Sequence, residues 1–432
     1  MEQQSYFNRL RINFFYLAIA VILFLFPFIF YLEMHTNLPY INAYDEVIGI
    51  ISVIYFVYLA YTKEIVDYRD ILISLLCISI VLIGLFGNML SDLLKGFVPI
   101  ATDVVCLLKI VFPFLACRYI VRKDDSHYVA KALVPVSKML IISSAFFGLI
   151  SLFVDIGMAD EKRYGIPAYG FIFKNQGRLG LIVIACLTIV MLCEKRIKMV
   201  RLYEGLTFFV IILTTKGSVY VVPAIFIFIN WLFKKNKRLS LKSIIVLILI
   251  VVLISGFQIN TYLADSESPR MTLIKYGFVT AKDYFPLGSG FGTYGSDVAA
   301  KNYSMLYVKY GFEHRWGMSR ELTSFLNDCY LGMVIGQFGY LGAIIFFIML
   351  VYIYRDLSDI ETTMSSIKAL CIATFFSHII ALIGSAMIKS GIGVFSFCVI
   401  GIASGYMRNE SNAKAGITRQ TFNKRKLRIH FR

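Results

Sequence analysis

The sequence predicts an all-α fold, a polytopic integral membrane protein with about twelve transmembrane helices, and three observations predict it. Of its 432 residues 58% are hydrophobic and only 16% are charged, too little polar surface for a soluble domain of this size. The apolar residues gather in runs of about 17–25, the length needed to cross a hydrocarbon core. Short charged clusters separate the runs, as at Lys234, Lys235, Lys237 and Arg238. Inside lipid the backbone must satisfy its own hydrogen bonds, so each run is expected to be helical.

In chain order, the first span is read at 12–32. More spans follow it at once and no small-residue cleavage site is evident, so it reads as a retained helix rather than a signal peptide. Spans at 45–61, 71–90 and 98–120 come next. The last of these carries Asp103 and Lys109, six positions and so about 120° apart on a helix; each is expected to pair with another helix, in a functional or a structural role. After 135–156 and 178–194 come 204–217 and 218–233, joined only by Thr215-Lys216-Gly217-Ser218, a tight hairpin or a re-entrant element. The remaining spans are 243–259, 328–353, 366–386 and 388–406. His378, in the eleventh, reads as a packed histidine ahead of a proton relay. All of 1–432 forms one polytopic domain, with a large external loop at 260–327 and a basic cytoplasmic tail at 407–432.

The net charge of +16 raises the question of nucleic acid, and its distribution argues against it. With the N-terminus in the cytoplasm, the whole excess falls on the cytoplasmic face and the outer face is neutral, as the positive-inside rule expects. The tail Arg408–Arg432 alone holds eight Lys+Arg against one Glu, and membrane lipid is its expected partner. The eight cysteines show no CxxC spacing and lie almost entirely within apolar runs, which indicates neither a zinc site nor a disulfide framework. No metal or cofactor is expected, and the cytoplasmic loops carry no nucleotide-binding motif. Chemistry is therefore expected at the outer membrane face.

The loop 260–327 is rich in aromatic residues, among them Tyr276, Tyr294, Tyr307, Phe312 and Trp316. A disordered loop would hold few, so short amphipathic helices folded against the membrane are expected. Ser268 and Pro269 form an N-cap and N1 signal for a helix over Pro269–Asp283. The most specific segment follows, Tyr284-Phe285-Pro286-Leu287-Gly288-Ser289-Gly290-Phe291-Gly292-Thr293-Tyr294-Gly295-Ser296. Glycines at every second position allow close backbone approach and can present N–H groups to an anion; a Gly-rich turn between helices explains the same pattern. It is not a Rossmann or P-loop fingerprint, since no strand precedes it and no Gly-Lys-Ser/Thr follows.

An arginine in an outer loop, then Pro-Leu-Gly-x-Gly-x-Gly-Thr-Tyr, then Gly336-Gln337-Phe338-Gly339-x-x-Gly342 entering a span resembles the bacterial O-antigen and capsular polysaccharide polymerases (Wzy type) and their relatives, the O-antigen ligases. At motif level the resemblance covers roughly 162–216 and 270–342. It implies a GT-C-like membrane glycosyltransferase of the bacterial cytoplasmic membrane, with both termini cytoplasmic. The implied reaction is metal-independent: an undecaprenyl-pyrophosphate-linked glycan donor passes its chain to a lipid-linked acceptor, and undecaprenyl pyrophosphate leaves. A chain-length regulator and a flippase are implied partners.

Pyrophosphate is a good leaving group, so such an enzyme needs cations more than a general acid, and arginine grips phosphate oxygens in a bidentate way. Arg163, in Lys162-Arg163-Tyr164-Gly165-Ile166-Pro167, and Arg270 match the family's outer-loop arginines; Arg178, at an outer span end, is a third candidate. For each, the alternative is an interfacial arginine reaching headgroups. Gly288, Gly290, Gly292 and His314 are candidate substrate-binding residues. The chain departs from the family at Lys216, which keeps a charge but not the fork of an arginine. It departs also at Asp328, which stands where ligases carry histidine; a carboxylate there suits a base or orienting group for an acceptor hydroxyl, or an N-cap for the tenth span. The departure at Asp328 favours polymerase over ligase. A lipid-linked oligosaccharide flippase or ion-coupled transporter using Asp103, Lys109 and His378 is the reading from a different class. It leaves the long aromatic loop unexplained.

Overall fold

The computed structural model describes residues 21–23, 25–33, 35, 36, 43–62, 66–121, 127–163, 165–235, 243, 245–247, 249 and 268–414. Among them, nine helices are long and apolar enough to cross a membrane. They are α2 (Tyr44–Tyr61), α3 (Tyr68–Ser91), α4 (Phe97–Ile120), α5 (His127–Ser151), α6 (Gln176–Cys193), α8 (Gly217–Lys234), α12 (Tyr330–Ser358), α13 (Ser365–Gly384) and α14 (Gly391–Lys414). The chain is a multi-pass α-helical membrane protein, and these nine coincide with nine of the twelve expected spans. A shorter apolar helix, α1, covers Val21–Glu33, within the first expected span; the ninth, 243–259, lies almost wholly outside the described residues. The basic tail falls outside them beyond residue 414.

The remaining expected span, 204–217, is part of helix α7 (Ile197–Thr214). Lys198, Arg201 and Glu204 occupy its first two turns, so its apolar stretch is shorter than the helix. The chain then reverses through Thr215, at φ 49°, and an extended Lys216. Of the two alternatives the sequence leaves open, the structure has the tight helical hairpin.

Helices α4, α6 and α14 occupy the centre of the bundle. From Cys106 to Tyr119 nearly every side chain of α4 is buried, and α6 is buried around its whole circumference from Leu179 to Val190. A helix apolar on all sides is stable only when surrounded, whereas α2 and α3 keep exposed apolar faces such as Ile54 and Leu82 that suit contact with lipid. The charges inside α4 are satisfied by other elements. Lys109 donates to Asp45 at 2.6 Å on α2, and Asp103 accepts from the Gly292 N–H at 2.7 Å and from Gln337 Nε2 at 2.9 Å.

At the opposite end of α4, Arg118 is completely buried between Asp70 of α3 and Asp356 of α12. Arg408 of α14 bridges Asp356 to Asp67, and the Tyr119 hydroxyl donates to Asp70 at 2.5 Å. Four helices are thereby tied together at one face. His378 is buried as a packed residue and stacks on Phe397 at 5.4 Å, and neither ring nitrogen has a hydrogen-bond partner among the described residues.

The loop, expected to form short helices folded against the membrane, is described from residue 268 and packs on the helix bundle. Helix α9 (Pro269–Asp283) starts on Ser268, whose side chain accepts from the Met271 N–H, with proline at N1. Short helices α10 (Asp297–Lys301) and α11 (Met305–Lys309) follow, capped by Ser296 and Ser304. They enclose a small core of their own in which Tyr307 stacks on Phe312 at 5.3 Å. The Tyr294 hydroxyl donates to the Leu273 carbonyl at 2.7 Å, and the Tyr307 hydroxyl accepts from the Gly295 N–H at 2.8 Å. Buried tyrosines thus bring their own polar ends to backbone partners, which is how an aromatic-rich loop avoids stranded hydroxyls.

The candidate active site on the loop face

The glycine turn lies between α3 and α12, not at the surface. Its amides are directed at protein acceptors: Ser289 N–H donates to the Gly336 carbonyl at 3.0 Å and Gly290 N–H to the Gln337 carbonyl at 2.9 Å. Phe291 N–H donates to Asn88 Oδ1 at 2.7 Å while Asn88 Nδ2 donates back to the Phe291 carbonyl at 2.9 Å. Helix α12 is kinked at Gly339, with φ 62° and ψ −169°. The kink frees the Gly336 and Gln337 carbonyls from their usual helical partners, and the turn supplies replacements. The two sequence motifs, residues 284–296 and 336–342, are therefore halves of one interlock. Gly288, Gly290 and Gly292 take φ of 75°, 88° and 69°, so close packing and left-handed backbone account for them without a ligand.

Four of the charged candidates lie within electrostatic reach of one another at the turn between α7 and α8. Arg270, in the first turn of α9, bridges Asp328 at 2.8 Å, with the two side chains 15% and 31% exposed. Lys216 is half-buried, and burial, followed by the positive charge of Arg270 and Arg163, lowers its ammonium below the ordinary lysine value; Asp328 acts in the opposite sense. The fields of Arg270, Asp328 and Arg163 thus converge on Lys216. Two hydroxyls flanking it, those of Thr215 and Ser218, are buried with no hydrogen-bond partner among the described residues.

Local structure explains how each arrives there. Arg163 ends β1 (Ala159–Arg163), which pairs antiparallel with β2 (Ile166–Tyr169). The hairpin is tied to α6 through Gln176, whose side-chain amide donates to Asp160. Asp328 lies just before α12 and is not its N-cap; Cys329 is, with its sulfur accepting from the Gly332 N–H at 3.5 Å. The N-cap alternative for Asp328 therefore falls away, and its carboxylate faces Arg270.

Arg178 and His314 are placed differently. Arg178 pairs with Glu33 of α1 at 3.0 Å and lies over the Phe30 ring at 5.0 Å, which joins α6 to α1. His314 is 84% exposed, beside Glu313 at 3.8 Å. Sequence reasoning also passed over Lys389, between α13 and α14, which is 4% exposed and donates to Asp297 at 2.6 Å. Asp297 accepts in addition from Asn327, and Lys389 holds its carboxyl below the usual range against the opposing effect of burial. Lys389 is the second residue of the expected span 388–406, where a lysine reads as an interfacial residue, so nothing in the sequence marks the bridge. Among the described residues no three His, Cys, Asp or Glu side chains gather as a metal site would require.

The arrangement offers two permanent cations and a lysine of lowered basicity near a carboxylate, a combination suited to an oxyanion such as a phosphate or pyrophosphate. No protein-family model matches the chain, and no curated protein matches it.

Proposed function

We propose that the protein is a polysaccharide polymerase of the Wzy type, joining undecaprenyl-pyrophosphate-linked repeat units at the outer face of the bacterial cytoplasmic membrane. The observation that carries the reading is the electrostatic convergence of Arg163, Arg270 and Asp328 on Lys216, from four segments each more than fifty residues from the next in sequence. In the proposed reaction an acceptor sugar hydroxyl attacks the anomeric carbon of the donor glycan. The carbon–oxygen bond to the pyrophosphate breaks, and undecaprenyl pyrophosphate leaves with the electron pair. Arg270, Arg163 and Lys216 bind the charge that builds on the departing oxygens, the largest kind of help an enzyme can give such a step. Phosphate oxygens arriving at Arg270 compete with Asp328 for its guanidinium. The released carboxylate is then free to take the acceptor proton.

The same proposal places the loop outside, both termini in the cytoplasm, and the full count of spans at twelve in a GT-C-like arrangement. Membrane lipid surrounds the spans, and a chain-length regulator and a flippase are the proposed neighbours. The Gly288–Gly292 turn holds α3, α12 and the loop in register, so it acts on the site by positioning.

The test is a purified-protein assay with a lipid-linked repeat unit, without added metal or nucleotide. Wild type is expected to give a ladder of products; Arg270→Ala and Arg163→Ala are expected to give none at unchanged protein level. Full-length polysaccharide from either variant in a null strain overturns the assignment.

A further inference from the structure

A polar cavity lies on the face opposite the loop, at the ends of α6, α7 and α8 and the start of α13. It measures about 610 Å³ and its lining includes Lys195, Arg201 and Lys234 together with the apolar Met191, Phe208 and Ile367. None of the three cations is within salt-bridge distance of a carboxylate among the described residues, although the fields of Arg201 and Lys234 reach Glu204. The other acid of the lining, Glu194, is held at 2.6 Å by Lys138 from outside the cavity. Cations therefore outnumber the available carboxylates. Helix α13 opens on the same cavity at Ser365 and Ser366, and no side chain caps its first turn, which adds amide donors of the same polarity.

Three features fix the depth and the kind of ligand. Ile197, on the lining, is 70% exposed, so the mouth carries apolar surface facing outward. Trp231, one turn from Lys234 on α8, is exposed with Lys235 Nζ over its ring at 4.2 Å, the pairing typical of the membrane–water boundary. The inner wall is apolar while the rim is cationic. A soluble anion would use only the rim; an amphiphile uses both.

We propose that this cavity binds the phosphate headgroup of an anionic phospholipid, with an acyl chain leaving along the exposed faces of α7 and α8. Lys195, Arg201 and Lys234 hold the phosphate, and the polar side chains of Asn230 and Ser365 face the glycerol region. The site is separate from the loop-face cluster and does not depend on the polymerase reading.

The experiment is native mass spectrometry of full-length protein in mixed micelles titrated with phosphatidylglycerol or phosphatidylcholine, with thermal unfolding in parallel. Wild type is expected to retain one phosphatidylglycerol more tightly than the rest and no phosphatidylcholine in that class. Each of Lys195→Gln, Arg201→Gln and Lys234→Gln is expected to weaken that lipid about fivefold, the effect of one cation near a charged surface. Lys235→Gln, on the same helix end but off the lining, is the control and should change it less than twofold. Equal retention of both lipids, or equal loss in the control, overturns the proposal. So does equal stabilisation by sn-glycerol 1-phosphate alone, which would mark a site for a free phosphate. Should a glutamine variant fold poorly, Arg201→Lys tests the same point and should retain the lipid.

Discussion

The interlock between the glycine turn and α3 makes a quantitative prediction for Gly290→Ala. A Cβ at Gly290 would stand 2.3 Å from the Asn88 backbone nitrogen and 2.6 Å from Asn88 Cγ, at a φ of +88°. The left-handed backbone alone costs an alanine about 1–2 kcal/mol. The contact is with helical backbone, which cannot rotate away, so overpacking adds about 1–3 kcal/mol. Displacing the turn also weakens the reciprocal Asn88–Phe291 pair, about 1 kcal/mol for each hydrogen bond. Gly311 supplies the control: its φ is +65° with nothing within 4 Å of a Cβ, so Gly311→Ala bears only the backbone term. The two variants should differ by about 3 kcal/mol, roughly a hundredfold in local opening. Amide hydrogen exchange over residues 289–292 in detergent measures it. Equal exchange in the two variants would show that the turn does not approach α3 as closely as described.

The charges make four further outcomes testable. Because Lys216 titrates below the ordinary lysine value, activity that needs its cation should fall on the alkaline side at lower pH than a free lysine would dictate; Lys216→Arg should move that limb upward, and an unmoved limb removes Lys216 from the role. The same lowering means that the folded state binds fewer protons than the unfolded one between the lowered value and the ordinary one, so stability contributed through Lys216 rises with pH across that window. Arg118→Met leaves Asp70 and Asp356 buried without their shared partner and should lower stability by about 3–5 kcal/mol, whereas Arg69→Met, whose partner Asp359 is 54% exposed, should cost under about 1 kcal/mol; thermal unfolding compares them. Asp328→Asn keeps the shape but weakens the bridge to Arg270, and in the lipid-linked assay it should reduce turnover at least about tenfold while binding of pyrophosphate, followed by calorimetry, is kept or improved; weaker pyrophosphate binding would refute the competition proposed for Arg270.

The spans were legible because lipid imposes a length and a composition that soluble contexts do not. Helix α9 was legible for a different reason: Ser268 and Pro269 state a local start that no distant contact has to confirm. The interlock was only half legible. Both of its motifs stand out as glycine patterns, but their partnership depends on Asn88, some two hundred residues earlier and indistinguishable in sequence from any polar residue at a span end. Arg118 was hidden for a similar reason. It lies inside an apolar run, and its partners Asp70 and Asp356 sit near the ends of other helices, where charge is unremarkable. Arg163, Lys216, Arg270 and Asp328 could be nominated one by one; what the sequence could not supply was their convergence, because chain reversal at Thr215 and the hairpin register decide it.

The kink at Gly339 has a consequence for the order of assembly. The two carbonyls it releases, on Gly336 and Gln337, find their donors in a turn that emerges from the ribosome some fifty residues before them, while the groove in α3 that receives the turn is made earlier still. In its kinked form helix α12 therefore cannot complete its hydrogen bonding alone, since neither lipid nor the kinked backbone provides the missing donors. The kink is satisfied only against the docked turn, and a chain stopped before residue 336 would present that loop with no second wall to close on.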